Sequence, residues 1–590
     1  MKDLNNLCDL IYEQKRLFKK SDFLNYKIAG KLHSISNQEF YNKTLYLACA
    51  LKEIGVKKGD RLANYSYQSP KWLIIDMGAI LASMVSVPIF SNISTDNLIF
   101  QLKDSDAKII YCDNLSIINN DYIHKSDLVI IYSNKNDPHR NKFKSKKLYL
   151  FDDLLDIGKQ NCKNHQCDFV DLSHNIKKDD LATIIYTSGS TGDPKGVEIT
   201  HQNLISQINT TKNFFPLSEN DIAISYLPLA HIFERMVMMY YISQGIRIYF
   251  VDDVKNLGNY LQEFRPTLMT TVPRVVEKIY LGINAKINST SFIKKVIAKA
   301  AINRALNKDV NIKGNIIDKI YDKLIYKKLR KFFGSNMKMI ICGGAMISDN
   351  MERFYRNIKI NIYPGYGMTE TSPVIATNCP KNYRFQTVGK LYDNVEARLT
   401  KDSELEIRGP NVMKAYHNRA ELTKKIIDKN GWLKTGDLAQ IDKDGYIKLI
   451  GRKKELFKTA YAKYVTPVPI EQKIIQELGF LIGAQIIAES RQYVIALLFP
   501  DFTLIQNYKK MLSYNDSDKN FINSVELNQY VSKKIDKINT QFDRWQQIKK
   551  FIIISDEISI ETGEITPSMK LKRAIIEQKY SKIIDDIYNE

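Results

Sequence analysis

Apolar positions along the chain fall into two alternating patterns. Short unbroken apolar runs at 109–111, 128–132, 148–150, 182–185 and 337–342 have the length and polar boundaries of buried strands. Between them lie longer stretches with helical spacing. Ser36, with Glu39 three residues on, forms a capping-box signal and predicts a helix running through Cys49 and Leu51 toward Gly55. A strand is expected over 61–66, and the pair Gly343-Gly344 turns the chain before Ser348 or Asp349 caps another helix. The longest apolar stretch, 72–90, is interrupted by Asp76 and closed by Pro88, which predicts a buried helix running into a strand rather than a membrane span. This alternation predicts α/β architecture with mostly parallel sheets, without internal repeat or low-complexity tract.

Composition sharpens the picture in three places. A chain of 590 residues, 44% hydrophobic, is too long for one core and should divide into a large and a small unit. Its 7 cysteines are scattered and odd in number, so no disulfide framework is expected and a reducing compartment is favoured. Cys162 and Cys167, with His165 and His174, fit no common zinc spacing and are expected in a polar loop. Asp3, Asp9 and Glu13 break any apolar leader, so the expected location is the cytoplasm, including the inner face of a membrane.

The net charge of +21 is concentrated. Residues 286–331 hold thirteen Lys/Arg against Asp309, Asp318 and Asp322, about half of the excess. Within them Ile293, Val296, Ile297 and Ala300, then Ile317, Ile320, Tyr321 and Leu324, recur at helical spacing and predict two amphipathic helices. A basic pair of this kind suits an anionic membrane surface; a solvated helical hairpin is the alternative. No aromatic-basic motif of a nucleic-acid module is present, and no nucleic acid is expected as a partner.

The candidate chemistry begins at Tyr186-Thr187-Ser188-Gly189-Ser190-Thr191-Gly192-Asp193-Pro194-Lys195-Gly196-Val197. Four hydroxyls, three glycines and a lysine between two strands make a loop suited to a polyphosphate. The glycines let the backbone approach closely, the hydroxyls and N–H groups donate, and the lysine offsets charge. Glycine is otherwise sparse, 26 in 590 residues against a usual ~7%. It is not a Walker A loop, because Lys195 is followed by Gly196 and Val197 rather than by Ser or Thr.

The loop resembles the phosphate-binding signature of the adenylate-forming (AMP-binding) ligases, and further motifs of that superfamily follow in order over roughly residues 25–575. Tyr363-Pro364-Gly365-Tyr366-Gly367-Met368-Thr369-Glu370-Thr371 is similar to its second motif. The resemblance implies that Tyr366 stacks on adenine beside Gly367, that Thr369 contacts phosphate, and that Glu370 holds Mg²⁺. Gly343 and Gly344 are placed with the nucleotide-binding positions. Leu433-Lys434-Thr435-Gly436-Asp437-Leu438 matches the ribose motif through Asp437. Gly451-Arg452-Lys453-Lys454-Glu455 matches the hinge, with Arg452 toward ribose or phosphate and Lys454 as the pivot. Glu564-Ile565-Thr566-Pro567-Ser568-Met569-Lys570 resembles the final motif, whose catalytic lysine is Lys570. The implied organisation is an adenylation domain over 1–450, with a basic helical insert at about 283–333, and a small mobile α+β domain over 451–590.

Leu227-Pro228-Leu229-Ala230-His231-Ile232-Phe233-Glu234-Arg235 and Val272-Pro273-Arg274-Val275-Val276-Glu277-Lys278-Ile279 resemble the long-chain fatty acyl-CoA synthetase branch. Amino-acid-activating relatives carry an Asp near the first stretch, and none lies between Ile222 and Gln244. His231 is expected beside the acyl carboxylate or as a structural histidine, and Met236, Met238, Met239, Tyr240 and Tyr241 as an acyl-tunnel lining or plain core. Tyr461-Ala462 stands where relatives have a small pair flanking the pantetheine channel, and Ser403 and Ala415 replace usual glycines. The expected activity is ATP-dependent activation of a fatty acid to acyl-AMP, then thioester formation with CoA. Transfer to a carrier protein is the alternative acceptor, and a basic membrane- or RNA-binding protein on a decayed ligase fold the alternative without catalysis.

Overall fold

The computed structural model describes residues 4–589 except 144–145, 165–166, 188–193, 454–455, 461–463, 560–561 and 567–569. Two large sheets organise the N-terminal part. One has nine strands in the order Lys390–Leu391, Val374–Thr377, Asn361–Gly367, Met339–Cys342, Leu268–Thr271, Ile222–Ser225, Arg247–Phe250, Leu24–Ile28, Lys31–Ile35. Its central strands are parallel and its margins antiparallel. The other has eight, Ala415–Tyr416, Lys195–Thr200, Leu181–Thr187, Val85–Pro88, Arg61–Tyr65, Ala107–Cys112, Val129–Tyr132, Leu148–Leu150, parallel from Leu181–Thr187 onward. Helices cover both faces of such sheets, which is why their strands read as continuous apolar runs rather than alternations.

The helix Pro70–Leu81 shows how the sheets are joined. Ser69 caps it, Pro70 opens it, and every residue from Pro70 to Leu81 except Lys71 is buried. It touches Arg61–Tyr65 and Val85–Pro88 in one sheet and Leu24–Ile28 in the other. Asp76, the polar interruption in the apolar stretch, accepts two hydrogen bonds from the fully buried Arg235, at 2.9 and 2.7 Å. The expected helix Asn37–Glu53 forms with the Ser36 hydroxyl accepting from the Glu39 N–H at 3.0 Å.

A four-stranded antiparallel sheet follows, then a smaller unit built on strands Leu481–Ile487, Val494–Pro500 and Ile548–Ile553. Helices Pro467–Leu478 and Val525–Asn539 pack against one another, and Pro467–Leu478 also packs on the strand Leu481–Ile487. The apolar cluster of the large unit ends at Leu449 and that of the small unit begins at Phe457. A large α/β domain with mostly parallel sheets and a separate small α+β domain is therefore the fold, as the sequence predicts. No helix among the described residues is long and apolar enough to cross a membrane.

Two expectations are corrected. Cys49 and Cys167 form a disulfide, and the Cys162 sulfur lies 3.3 Å from that of Cys49. The pair was hidden because its members are 118 residues apart, brought together when helix Asn37–Glu53 packs on helix Phe151–Lys163. His165 lies outside the described residues, and no metal-binding group of His, Cys, Asp or Glu occurs among the described ones. In the basic insert, Ile293, Val296, Ile297 and Ala300 face solvent, while Ala298, Ala301, Ile302 and Ala305 meet the core.

Candidate active site

The parallel strand Asn361–Gly367 carries Tyr366 to the carboxyl edge of its sheet. The buried Tyr366 hydroxyl donates to Asp437 Oδ2 at 2.5 Å. Asp437 stands in the strand Leu433–Ile441 directly opposite Arg452 in the strand Ile447–Arg452, an antiparallel register that sets their ion pair, Nε to Oδ1 3.0 Å. Burial first, and then the Asp437 charge, push the Tyr366 hydroxyl well above its usual range, so it remains a donor. Gly367 is required where it stands: a Cβ there would lie 1.7 Å from the Pro373 carbonyl oxygen.

The chain then makes a short 3-10 turn, Thr369–Thr371, which leaves Thr369 half-buried and Glu370 buried. Glu370 Oε1 accepts from the Tyr416 hydroxyl at 2.6 Å, and its carbonyl from the Met413 N–H at 2.9 Å. Tyr416 pairs across the strand with Val197, just beyond the phosphate-type loop. The Lys195 ammonium lies 5.7 Å from the Tyr416 ring centroid, and Thr187 pairs with Lys195 at the base of the loop. Ser188, Gly189, Ser190, Thr191 and Gly192 lie outside the described residues, as do Lys454 and Tyr461-Ala462. The stem of the loop is therefore beside Glu370, one tyrosine away.

His231 caps the helix Ile232–Ser243: its Nδ1 accepts from the Phe233 N–H at 3.2 Å, leaving the ring proton on Nε2. Burial, then the charge of Lys570, push this imidazole down to about 4, so it is neutral at pH 7. The Lys570 charge, from the small unit, is thus the second influence on His231 of the large one. Lys570 is exposed, and its backbone donates to Thr566 Oγ1 at 3.0 Å and accepts from the Thr566 N–H at 2.8 Å. The two units also meet through Arg274 and Asp501 at 3.3 Å, and through Gln472 and the Met346 carbonyl at 3.3 Å. Phe233, two residues after His231, packs on Gly343, where an added Cβ would meet its ring at 3.1 Å. Gly344 takes a φ of +79° that favours glycine.

Five of the sequence-nominated positions thus gather into two clusters, Tyr366–Asp437–Arg452 and, about Tyr416, Lys195 and Glu370. His231 stands on the large unit and Lys570 on the small one. Met236, Met238, Met239, Tyr240 and Tyr241 are all buried members of the main apolar core, the plain-core alternative. Two side chains had no functional reading from sequence. Tyr416, which no motif of the sequence singles out, fixes the Glu370 carboxylate. Arg235 joins the His231 helix to the loop-bearing strand, donating to Thr183 Oγ1 at 2.7 Å. Both act through partners 46 or more residues away, and nothing in local spacing signals such pairs.

Comparison with known proteins is consistent with this arrangement. The model of the AMP-binding enzymes matches residues 14–417, and that of the AMP-binding enzyme C-terminal domain matches 458–590. The chain is similar to the long-chain-fatty-acid–CoA ligase FadD15 of Mycobacterium bovis, 28% identical over 99% of this chain and 97% of that protein. Among solved structures, the adenylation domain of a Mycobacterium chelonae carboxylate reductase superposes with a TM-score of 0.80, at 18% identity, over 100% of this chain and 92% of that one. An anthranilate CoA ligase in complex with anthranoyl-AMP, of unspecified organism, gives 0.74 at 16% identity over 99% of both chains.

Proposed function

The chain belongs to the AMP-binding enzymes and is an ATP-dependent, acid-activating ligase, and on that premise we propose that its acid is a long-chain fatty acid and its acceptor coenzyme A. The observation that carries the reading is the gathering of Tyr366–Asp437–Arg452, and of Lys195 and Glu370 about Tyr416, from separate segments. Full-length similarity to a long-chain ligase supports the acid, as do the His231 and Val272 motifs.

In this reading adenine lies against Tyr366 with Gly343, Gly344 and Gly367 lining its approach, and Asp437 and Arg452 take the ribose. Thr187, Ser188, Gly189, Ser190, Thr191, Gly192, Lys195 and Thr369 hold the phosphates. Glu370, a buried hard carboxylate oriented by Tyr416, fits a Mg²⁺ ligand, and the ion when bound offsets phosphate charge. A carboxylate oxygen of the acid attacks the α-phosphorus, the α–β bridging P–O bond breaks, and pyrophosphate leaves with acyl-AMP formed. The thiol sulfur of CoA then attacks the acyl carbon and AMP leaves with the former carboxylate oxygen. His231 is neutral, so it orients the carboxylate through its Nε2–H, and Lys570 supplies the charge that the closing carboxylate and α-phosphate need. Rotation about Lys454, taking 451–590 as the moving domain and 1–450 as the fixed one, brings in the CoA step.

A second acceptor, a carrier-protein arm, is favoured by Tyr461, whose bulk replaces a small residue beside the pantetheine channel. Incubation with palmitate, Mg·ATP and either CoA or a phosphopantetheinylated carrier, read by mass spectrometry, separates the two. Palmitoyl-CoA is the expected product; a loaded carrier without palmitoyl-CoA overturns the CoA assignment. Lys570→Ala should lower fatty-acid-dependent pyrophosphate release by about 10²–10³-fold, and unchanged release removes Lys570 from the mechanism.

A further inference from the structure

The helical insert after the Val272 motif carries an apolar surface that the fold leaves in solvent. The helix Phe292–Asn307 is apolar on two sides. Ala298, Ala301, Ile302 and Ala305 meet the core, while Phe292, Ile293, Val296 and Ile297 are between 37% and 79% exposed. The helix Ile316–Tyr321 and its continuation Asp322–Tyr326 repeat the arrangement, with Ile316, Ile317, Ile320 and Leu324 between 45% and 75% exposed. Isolated exposed apolar residues are ordinary, but eight large ones on two adjoining helices are a surface in need of a partner.

The two helices form one braced unit. Arg304 Nε lies 2.5 Å and Lys308 Nζ 2.9 Å from Asp318, and the Tyr326 hydroxyl donates to the Ala301 carbonyl at 2.8 Å. These bonds also occupy two of the three acids of the insert. Asp318 is taken by Arg304 and Lys308, and Asp322 by Arg330 and Lys359 at 2.7 and 3.1 Å. The remaining lysines, among them Lys294, Lys299, Lys313, Lys319, Lys323 and Lys327, stand exposed around the apolar side chains.

We propose that this surface docks on an anionic lipid bilayer, with the isoleucines, valine, leucine and phenylalanine in the headgroup–acyl boundary and the lysines on headgroup phosphates. A second copy of the chain would set one strongly basic surface against another, so like charge opposes self-association. A nucleic-acid backbone would satisfy the lysines and leave the eight apolar side chains in water. The bilayer interface satisfies both at once. The proposal stands on the insert alone and survives a failure of the CoA assignment.

Sedimentation of the full chain with vesicles of phosphatidylcholine, with and without phosphatidylglycerol, tests it. The protein should pellet with the phosphatidylglycerol vesicles and much less with the neutral ones. Removing Lys319 and Lys323 together as alanines should weaken that partition by about fivefold per lysine. Replacing Phe292, Ile293, Ile316 and Ile320 by serine should weaken it by ~tenfold or more while leaving the melting curve and pyrophosphate release unchanged, because all four are exposed. Equal binding to neutral vesicles, or serine variants that bind as well as the parent, overturns the proposal. So does a dimer in sedimentation equilibrium that the serine variant dissolves, or RNA binding that the alanine variant loses and the serine variant keeps.

Discussion

Ser403 holds a left-handed backbone, φ 62°, in the turn between strands Glu396–Leu399 and Glu404–Arg408. An L side chain is strained there and glycine is not, which gives a physical reason for the glycine that the family resemblance implies at this position. Ser403→Gly should therefore raise unfolding free energy by about 0.5–1 kcal/mol, less whatever glycine adds to the unfolded chain. Urea denaturation measures this, and a lowered midpoint would mean that the serine side chain stabilises the turn. Ala415 also replaces a usual glycine but lies in a strand opposite Glu198, where any residue is at home. The sequence marks both substitutions alike; only the backbone angles distinguish the strained one from the harmless one.

The helix Ile232–Ser243 ties His231 to the buried core. His231 caps it, and one turn later Arg235 closes a buried circuit with Asp76, Thr183 and Ser86. Thr183 stands in the strand that leads into the phosphate-type loop, so this circuit sets the helix against that strand. Asp76→Ala leaves a buried guanidinium without its counter-charge and should cost ~3–5 kcal/mol. The paired change Asp76→Leu with Arg235→Met removes both charges and should cost clearly less than either single substitution. A double-mutant cycle in urea, with ATP–pyrophosphate exchange measured beside it, decides the matter; additive losses would show that the two residues stabilise separately. The apolar periodicity predicts this helix and the helix Pro70–Leu81 as buried elements. It does not predict that the one acid in the second faces the one arginine in the first.

Across the whole molecule, burial sets two kinds of titration against each other. Glu234, bonded to the Ser225 and Thr270 hydroxyls at 2.7 Å, and Glu352, bonded to the Tyr383 hydroxyl at 2.7 Å, are pushed up to about 7, chiefly by burial. Between pH 4.5 and 7 the native carboxyl keeps a proton that the unfolded one has lost, so stability falls as pH rises. His201, whose Nδ1 accepts from the Leu7 N–H, is pushed down to about 4 by burial. Between pH 4 and 6.5 the unfolded histidine holds the extra proton, so its contribution rises with pH. Relative to the parent, Glu234→Gln combined with Glu352→Gln should gain stability as pH rises through the first window. The gain is on the order of 3 kcal/mol per glutamate. Denaturation midpoints at pH 5 and pH 7 check it, and parallel curves would mean the two carboxyls ionise normally in the fold.

Apolar rhythm and motif order alone determined the strand–helix alternation and the two-domain plan, and nominated the residues proposed to face the nucleotide. Those features are local: a buried strand, a helix cap or a glycine-rich turn is specified by neighbours within a few positions. The tertiary structure decided what lies between distant residues. It put Tyr416 on Glu370 and Arg235 on Asp76, and it joined Cys49 to Cys167. It also decided which side of the helix Phe292–Asn307 meets the core. Periodicity gives the angle between apolar positions on a helix, whereas the docking of that helix chooses which of two apolar sides is covered.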